Sequence, residues 1–216
     1  MANDTIQIIE KPDWISWEDI RECLYTAHGN NRSKGIVMSH ALWDASKIRD
    51  FVGQEGKMLV VLDGKRLIGT CAIVPQKVDG KWYSCENFVS IVFASLLPDY
   101  RGRGIFGEME RTRIELARKM GFTAIIGDTH VNNKHRIDIF KKDGFKIVDY
   151  KVCSDHFNVI AIKWLRECPF SASYIYFRYQ LAKFYRRLRY GFDENGWVDR
   201  FRFLSAAIAR IRRTRP

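Results

Sequence analysis

Residues 88–107 read Phe88-Val89-Ser90-Ile91-Val92-Phe93-Ala94-Ser95-Leu96-Leu97-Pro98-Asp99-Tyr100-Arg101-Gly102-Arg103-Gly104-Ile105-Phe106-Gly107, an apolar run that breaks into a glycine-rich turn and then starts a helical pattern. The run at 88–97, rich in Val, Ile and Phe, predicts a strand buried on both faces near the centre of a sheet. Ile105, Met109, Leu116 and Met120 then mark one face of a helix over 105–120, with Glu108, Glu110, Arg111, Glu115 and Arg118 mostly off that face. Between strand and helix, three glycines let the backbone approach a ligand closely. The amides of the first helical turn have no intrahelical partner and point outward, so with the helix dipole they form an anion site suited to a pyrophosphate. Alone, the segment reads equally well as a glycine-rich turn with two solvated arginines, because short glycine motifs recur by chance.

Upstream, Ser16 opens a helix over 16–27 with Glu18 and Asp19 in its first turn. A polar loop at 28–35 follows, and a helical pattern resumes over 41–52. Two hairpins are expected next: 58–62 joined to 67–74 through Asp63-Gly64, and Val78 leading through Asp79-Gly80 towards Trp82. Downstream of the long helix and its cap at Gly121, a strand over 122–130, a helix over 134–142 and an antiparallel pair of 145–151 with 158–165 complete the pattern. This order predicts an α/β fold, a central mixed sheet with helices on both faces. Pro169 marks a boundary between a domain over 1–167 and an extension over 168–216, in which 174–189 and 197–213 read as amphipathic helices.

Charge divides the same way. The chain carries a net +11 in 216 residues. The extension holds 11 Lys/Arg against 3 Asp/Glu, while the body holds 25 against 22. An acidic partner is therefore expected for the tail rather than for the whole molecule. Five scattered cysteines with no CxxC pair argue against a zinc site and for a reducing cytoplasmic setting. No metal is expected, and no segment has the roughly 20 apolar residues of a membrane span.

With these elements in place, the chain resembles the GNAT superfamily of acetyl-CoA-dependent N-acetyltransferases over about residues 6–165. The family's signature, Arg/Gln-x-x-Gly-x-Gly/Ala after its fourth strand, is matched by Arg101 and Gly104 in spacing. Phe106 stands where a small residue is usual, with Gly107 one place late. A second stretch, from Asn133 to Phe145, is similar to the family's Asn-x-x-Ala-x-x-x-Tyr-x-x-x-Gly-Phe. Asn133, Gly144 and Phe145 fall in register, whereas Arg136 replaces the small residue and Phe140 the Tyr that protonates the departing thiolate in many members. A phenyl ring has no proton to give.

The resemblance implies direct attack of a neutral amine on acetyl-CoA. It assigns the cofactor grip to Arg101, Gly102, Arg103, Gly104, Ile105, Phe106 and Gly107, with Asn133 on the pantetheine arm, Phe140 at the family's Tyr position and a main-chain amide near Leu96 facing the oxyanion. For the base, Asp128 and His130 alternate onto one face of the strand over 122–130, and Glu86 precedes the central strand. His28, His40, His135 and His156 are expected mostly at the surface. The acceptor is expected to be a small-molecule amine, such as an amino sugar or amino acid. A GNAT-fold module that binds acyl-CoA without turnover is the alternative. For residues 174–213 the readings are packing on the body or self-association, and an anionic membrane surface on the cytoplasmic face. The aromatics fall on apolar helix faces rather than among exposed arginines, which argues against nucleic acid.

Overall fold

The computed structural model describes residues 6–29, 39–152, 157–190, 192–193 and 196–197. The loop expected at 28–35 and the helix expected at 197–213 lie largely outside them, as does His156. Seven strands form one mixed sheet in the order β1-β2-β3-β4-β5-β7-β6. The chain divides after Gly127 into two compact units.

The first unit opens with β1 (Ile6–Glu10), antiparallel to β2. This strand was not expected from the sequence, since its five residues give little alternation to read. Ser16 then caps α1 (Trp17–Ala27). Its hydroxyl accepts from the Asp19 amide and its own amide donates to the Asp19 carboxylate, a reciprocal box. Ile20, Cys23, Leu24 and Ala27, at helical spacing, are the buried face. The helix expected over 41–52 is two elements, a 3₁₀ turn over Ser39–Leu42 and α2 (Ala45–Val52). Asp44 makes the break by accepting from the Lys47 amide as an N-cap.

β2 (Lys57–Asp63) and β3 (Arg66–Gln76) form the hairpin that Asp63-Gly64 predicts. The second hairpin is absent. Residues 77–87 are turn and irregular chain, and β3 pairs instead with β4 (Phe88–Leu96), from Gln76 opposite Phe88 to Gly69 opposite Leu96. Asp79-Gly80 does bend the chain, with Gly80 at φ 69, but the residues after it have no alternation to extend a strand. β4 is the middle strand of the seven, as its apolar run predicts. After it come a 3₁₀ turn (Pro98–Tyr100), α3 (Ile105–Lys119) and β5 (Ala124–His130), whose parallel ladder with β4 covers Phe88–Ser90. The inward face of α3 differs from the expected one: Glu110 and Arg113 are buried with Ile105, Met109, Ile114 and Ala117.

The second unit contains α4 (Lys134–Lys142), the antiparallel pair β6 (Lys146–Val152) and β7 (Phe157–Trp164), and α5 (Ala172–Tyr190). α5 packs on β6. Ile175 is buried, Tyr179 and Ala182 join the cluster of Val131, Ile137, Tyr150, Phe157 and Val159, and the Tyr179 ring stacks on Tyr150 at 5.9 Å. A two-residue strand pair, Phe192–Asp193 with Gly196–Trp197, follows. Among the described residues, no helix is long and apolar enough to cross a membrane.

Candidate active site

In the first unit, β4 ends at Leu96, and side chains brace the stretch that leads from it into α3. Tyr100 donates its hydroxyl to Asp63 at 2.7 Å, tying the loop to the β2–β3 turn; that bond raises the Tyr100 pKa. Arg101 donates through Nε to the Leu96 carbonyl at 3.1 Å and through Nη2 to the Ala27 carbonyl at 2.5 Å. It thereby places a cation at the C-terminus of α1, which has no basic residue in its last turn. Arg103 donates to the Asp99 carbonyl at 2.8 Å and lies 5.1 Å from the Tyr100 ring centroid. Both guanidinium groups therefore turn back onto carbonyls beside the loop.

The loop's own backbone is left open. Gly102 and Gly104 adopt φ of 77 and 79, a left-handed conformation that favours glycine, and nothing lies within 4 Å of where a Cβ would sit on either. Gly104 is the N-cap of α3 with no side-chain cap, and the Gly107 and Glu108 amides turn back to its carbonyl. The Arg103, Gly104 and Ile105 amides have no backbone acceptor among the described residues. Phe106 packs against the core cluster that includes Leu59, Val61 and Ile68, so the ring that replaces a small residue is taken up by the interior. Open glycines and amides without a backbone acceptor at the start of a fifteen-residue helix fit a diphosphate.

One strand turn earlier, β4 carries a bulge that the sequence does not announce. Thr70 pairs with Ser95 but Ala72 with Val92, so Phe93 and Ala94 together oppose Cys71, and Phe93 sits at φ 53. Thr70 holds it: its hydroxyl donates to the Phe93 carbonyl at 2.9 Å, and Ser95 then supplies the proton of their 2.8 Å contact. The Phe93 ring meets His40 at 5.4 Å, Phe51 at 5.7 Å and Trp43 at 6.0 Å, edge to face. His40 in turn meets His28 at 5.7 Å. The surface placement expected for these two histidines is corrected: His28 is buried, and burial pushes the His40 imidazole down to about 4, so that it is neutral at neutral pH. Only a high apolar density around 41–52 hinted at this. Burial pushes the Cys23 and Cys71 thiols up to about 11, which keeps them un-ionised and unreactive. Glu86 is buried ahead of Phe88. A nine-residue strand separates it from the loop, roughly 25–30 Å at about 3.3 Å per residue.

In the second unit, β5 presents Asp128 and His130 two residues apart. Asp128 accepts from the Asn158 side chain at 2.7 Å. His130 is buried, and its Nδ1 accepts from the Asn132 amide at 3.0 Å, which puts the proton of the neutral ring on Nε2. Asn133 caps α4 by accepting from the Arg136 amide at 3.3 Å, and its side-chain amide donates to Thr129 at 3.2 Å. Phe140 is 1% exposed, 4.9 Å from the Phe145 ring and under the Arg136 guanidinium at 4.2 Å. Arg136, at a position where the resemblance expected a small residue, thus covers the Phe140 ring.

The profile described as "Acetyltransferase (GNAT) family" matches residues 14–145, well over half of the chain. The chain belongs to this acetyltransferase family. No curated protein matches this GNAT chain by sequence. Solved structures share its fold. An acetyltransferase from Streptococcus agalactiae 2603 superposes with a TM-score of 0.58 at 18% identity, covering 74% of this chain and 98% of its own. The IAA acetyltransferase from Bacillus cereus ATCC 14579 gives 0.54 at 16%, over 74% and 100%. The putative acetyltransferase yncA from Salmonella typhimurium, solved with its cofactor acetyl-CoA, gives 0.56 at 15%, over 78% and 99%.

Proposed function

We propose that this GNAT protein is an acetyl-CoA-dependent N-acyltransferase acting on a primary amine of a small molecule. The observation that carries the reading is the braced loop at the start of α3, with Gly102 and Gly104 open and left-handed and three amides without a backbone acceptor among the described residues. Acetyl-CoA, named as cofactor of the Salmonella neighbour, supplies a thioester-activated acetyl group when bound. The backbone of residues 101–107 takes the diphosphate, and Arg101 and Arg103 keep positive charge beside it while bracing the turn. Asn133, which caps α4, is assigned to the pantetheine arm.

The Leu96 amide is the donor assigned to the acyl oxygen. The Leu97 amide bonds the Ile68 carbonyl on β3, so strand alternation turns the preceding amide to the opposite edge of β4, past the three-pair ladder with β5. Among the base candidates, Asp128 keeps acceptor capacity beside its Asn158 bond, whereas His130 would have to break its Asn132 bond to take a second proton. Phe140 cannot protonate the departing thiolate, which would take its proton from water or another side chain or leave without one. A thiol of pKa about 8.5 tolerates that.

Release of free coenzyme A in the presence of a panel of small amines tests the reading. Acetyl-CoA-dependent thiol release with at least one amine is expected. Saturable acetyl-CoA binding without release by any amine would make the chain a non-catalytic acyl-CoA binder instead.

Residues 168–216 are proposed as an appendage to the transferase domain over 1–167, and the outer face of α5 as its contact with an anionic membrane surface. Phe177 is 60% exposed and Phe184 52%, with Leu181 between them. The nineteen residues of α5 include five Lys/Arg and no acid, the composition of a helix that lies in an anionic interface. Full-length protein should float with anionic vesicles but not with neutral ones, and a Phe177→Ser/Phe184→Ser variant should not float. Wild-type protein left in the soluble fraction, or dimerised through this face, would refute the membrane contact.

A further inference from the structure

The second unit holds a cavity of about 760 Å³ between α4 and α5, over β6 and β7. None of the candidate catalytic or cofactor residues lines it, and its size lies in the range of roughly 300–1,000 Å³ typical of small-molecule sites. Its composition is two-sided. Ile137, Ile147, Val159 and Ile175 provide an apolar floor, while Lys134, Lys141, Lys146 and Lys183 surround it. Helical spacing explains the arrangement, since Lys134, Ile137 and Lys141 fall on one face of α4, and Ile175, Tyr179 and Lys183 on one face of α5.

No aspartate or glutamate lines the cavity among the described residues. Lys134, Lys141 and Lys146 form no ion pair with any described carboxylate. Lys134, Lys141 and Lys146 thus bring three like charges to one hollow whose described lining supplies no carboxylate. Their alkyl stems can lie along the apolar wall while the ammonium groups meet at the mouth.

We infer that this cavity binds an anionic amphiphile, a single alkyl chain ending in a carboxylate or a phosphate. A bare anion would leave the isoleucine floor wet, and a neutral hydrocarbon would leave the lysines repelling one another. Only a guest with both parts meets both surfaces. The inference is independent of acyl transfer, since it uses no residue of the proposed active site.

Calorimetry on the full-length protein at low salt, with decanoate, decyl phosphate, decyl glucoside, acetate and inorganic phosphate, tests it. Decanoate or decyl phosphate should bind one per chain, and the tighter of the two identifies the head group. Decyl glucoside should bind at least tenfold more weakly, and acetate and inorganic phosphate should show no saturation. The Lys141→Gln/Lys146→Gln variant should lose at least tenfold in affinity for the anionic chain, with its coenzyme A affinity and melting midpoint unchanged. Equal binding of decyl glucoside and decanoate, or an unaltered affinity in the double variant, would overturn the assignment.

Discussion

Gly104 combines two constraints at one atom position, a left-handed φ of 79 and open space where a side chain would project towards an anion. The two can be separated. Gly104→Gln carries the strain of a non-glycine residue in that region, about 1–2 kcal/mol, and the bulk of its side chain, whereas Gly104→Glu adds a negative charge to the same strain and bulk. Coenzyme A affinity should therefore fall at least tenfold further in the Glu variant than in the Gln variant, as read by calorimetry. His40 gives a second test at this scale. Its pKa is held near 4, below the 6.5 of a free imidazole, by burial. The unfolded chain thus binds the proton that the native state refuses, so stability is full above about pH 6.5 and falls as pH drops towards 4. The size is about 3 kcal/mol at 1.36 kcal/mol per pKa unit. Urea midpoints at pH 7 and 4.5 should show the loss in wild type and not in His40→Phe, whose ring suits the aromatic cluster around Phe93. The spacing of Arg101, Gly104 and Asn133 could be read in the sequence because each is fixed by its neighbours in the chain. That Arg101 reaches back to Ala27 could not, because seventy-four residues separate the partners.

At the scale of elements, α3 shows where periodicity stops being informative. Its apolar positions gave the helix correctly, but a charged pair was hidden among them. Arg113 is completely buried, Glu110 nearly so, and the two meet at 2.6 Å. A formal charge at an inward helical position reads as an outward one unless its partner is known, and the pair is only three residues apart on the same helix. Removing one member strands the other in a low-dielectric interior. Glu110→Ala should therefore cost about 3–5 kcal/mol in denaturant unfolding, while the joint Glu110→Leu/Arg113→Met replacement should come within about 1–2 kcal/mol of wild type or exceed it. The bulge in β4 was equally hidden. Phe93 is neither glycine nor asparagine, and what bends the strand there is the Thr70 hydroxyl on a neighbouring strand. Turn chemistry was read correctly at Asp63-Gly64 and too generously at Asp79-Gly80, since a turn dipeptide makes a hairpin only where a strand follows it.

For the whole molecule, the succession of strands and helices was enough to predict a mixed sheet with β4 at its middle. It did not give the final order β5-β7-β6, because placing β7 ahead of β6 depends on pairing between distant segments. The charged tail was visible from composition alone, but its division of labour was not. One face of α5 packs through Ile175, Tyr179 and Ala182 while the other exposes Phe177, Leu181 and Phe184, and only the packed helix distinguishes them. Everything proposed about transfer depends on the glycine loop holding a nucleotide diphosphate. Calorimetric titration of the full-length protein with coenzyme A addresses that directly. A saturable isotherm with one site per chain is predicted, and the absence of any saturable heat or competition with acetyl-CoA would contradict it.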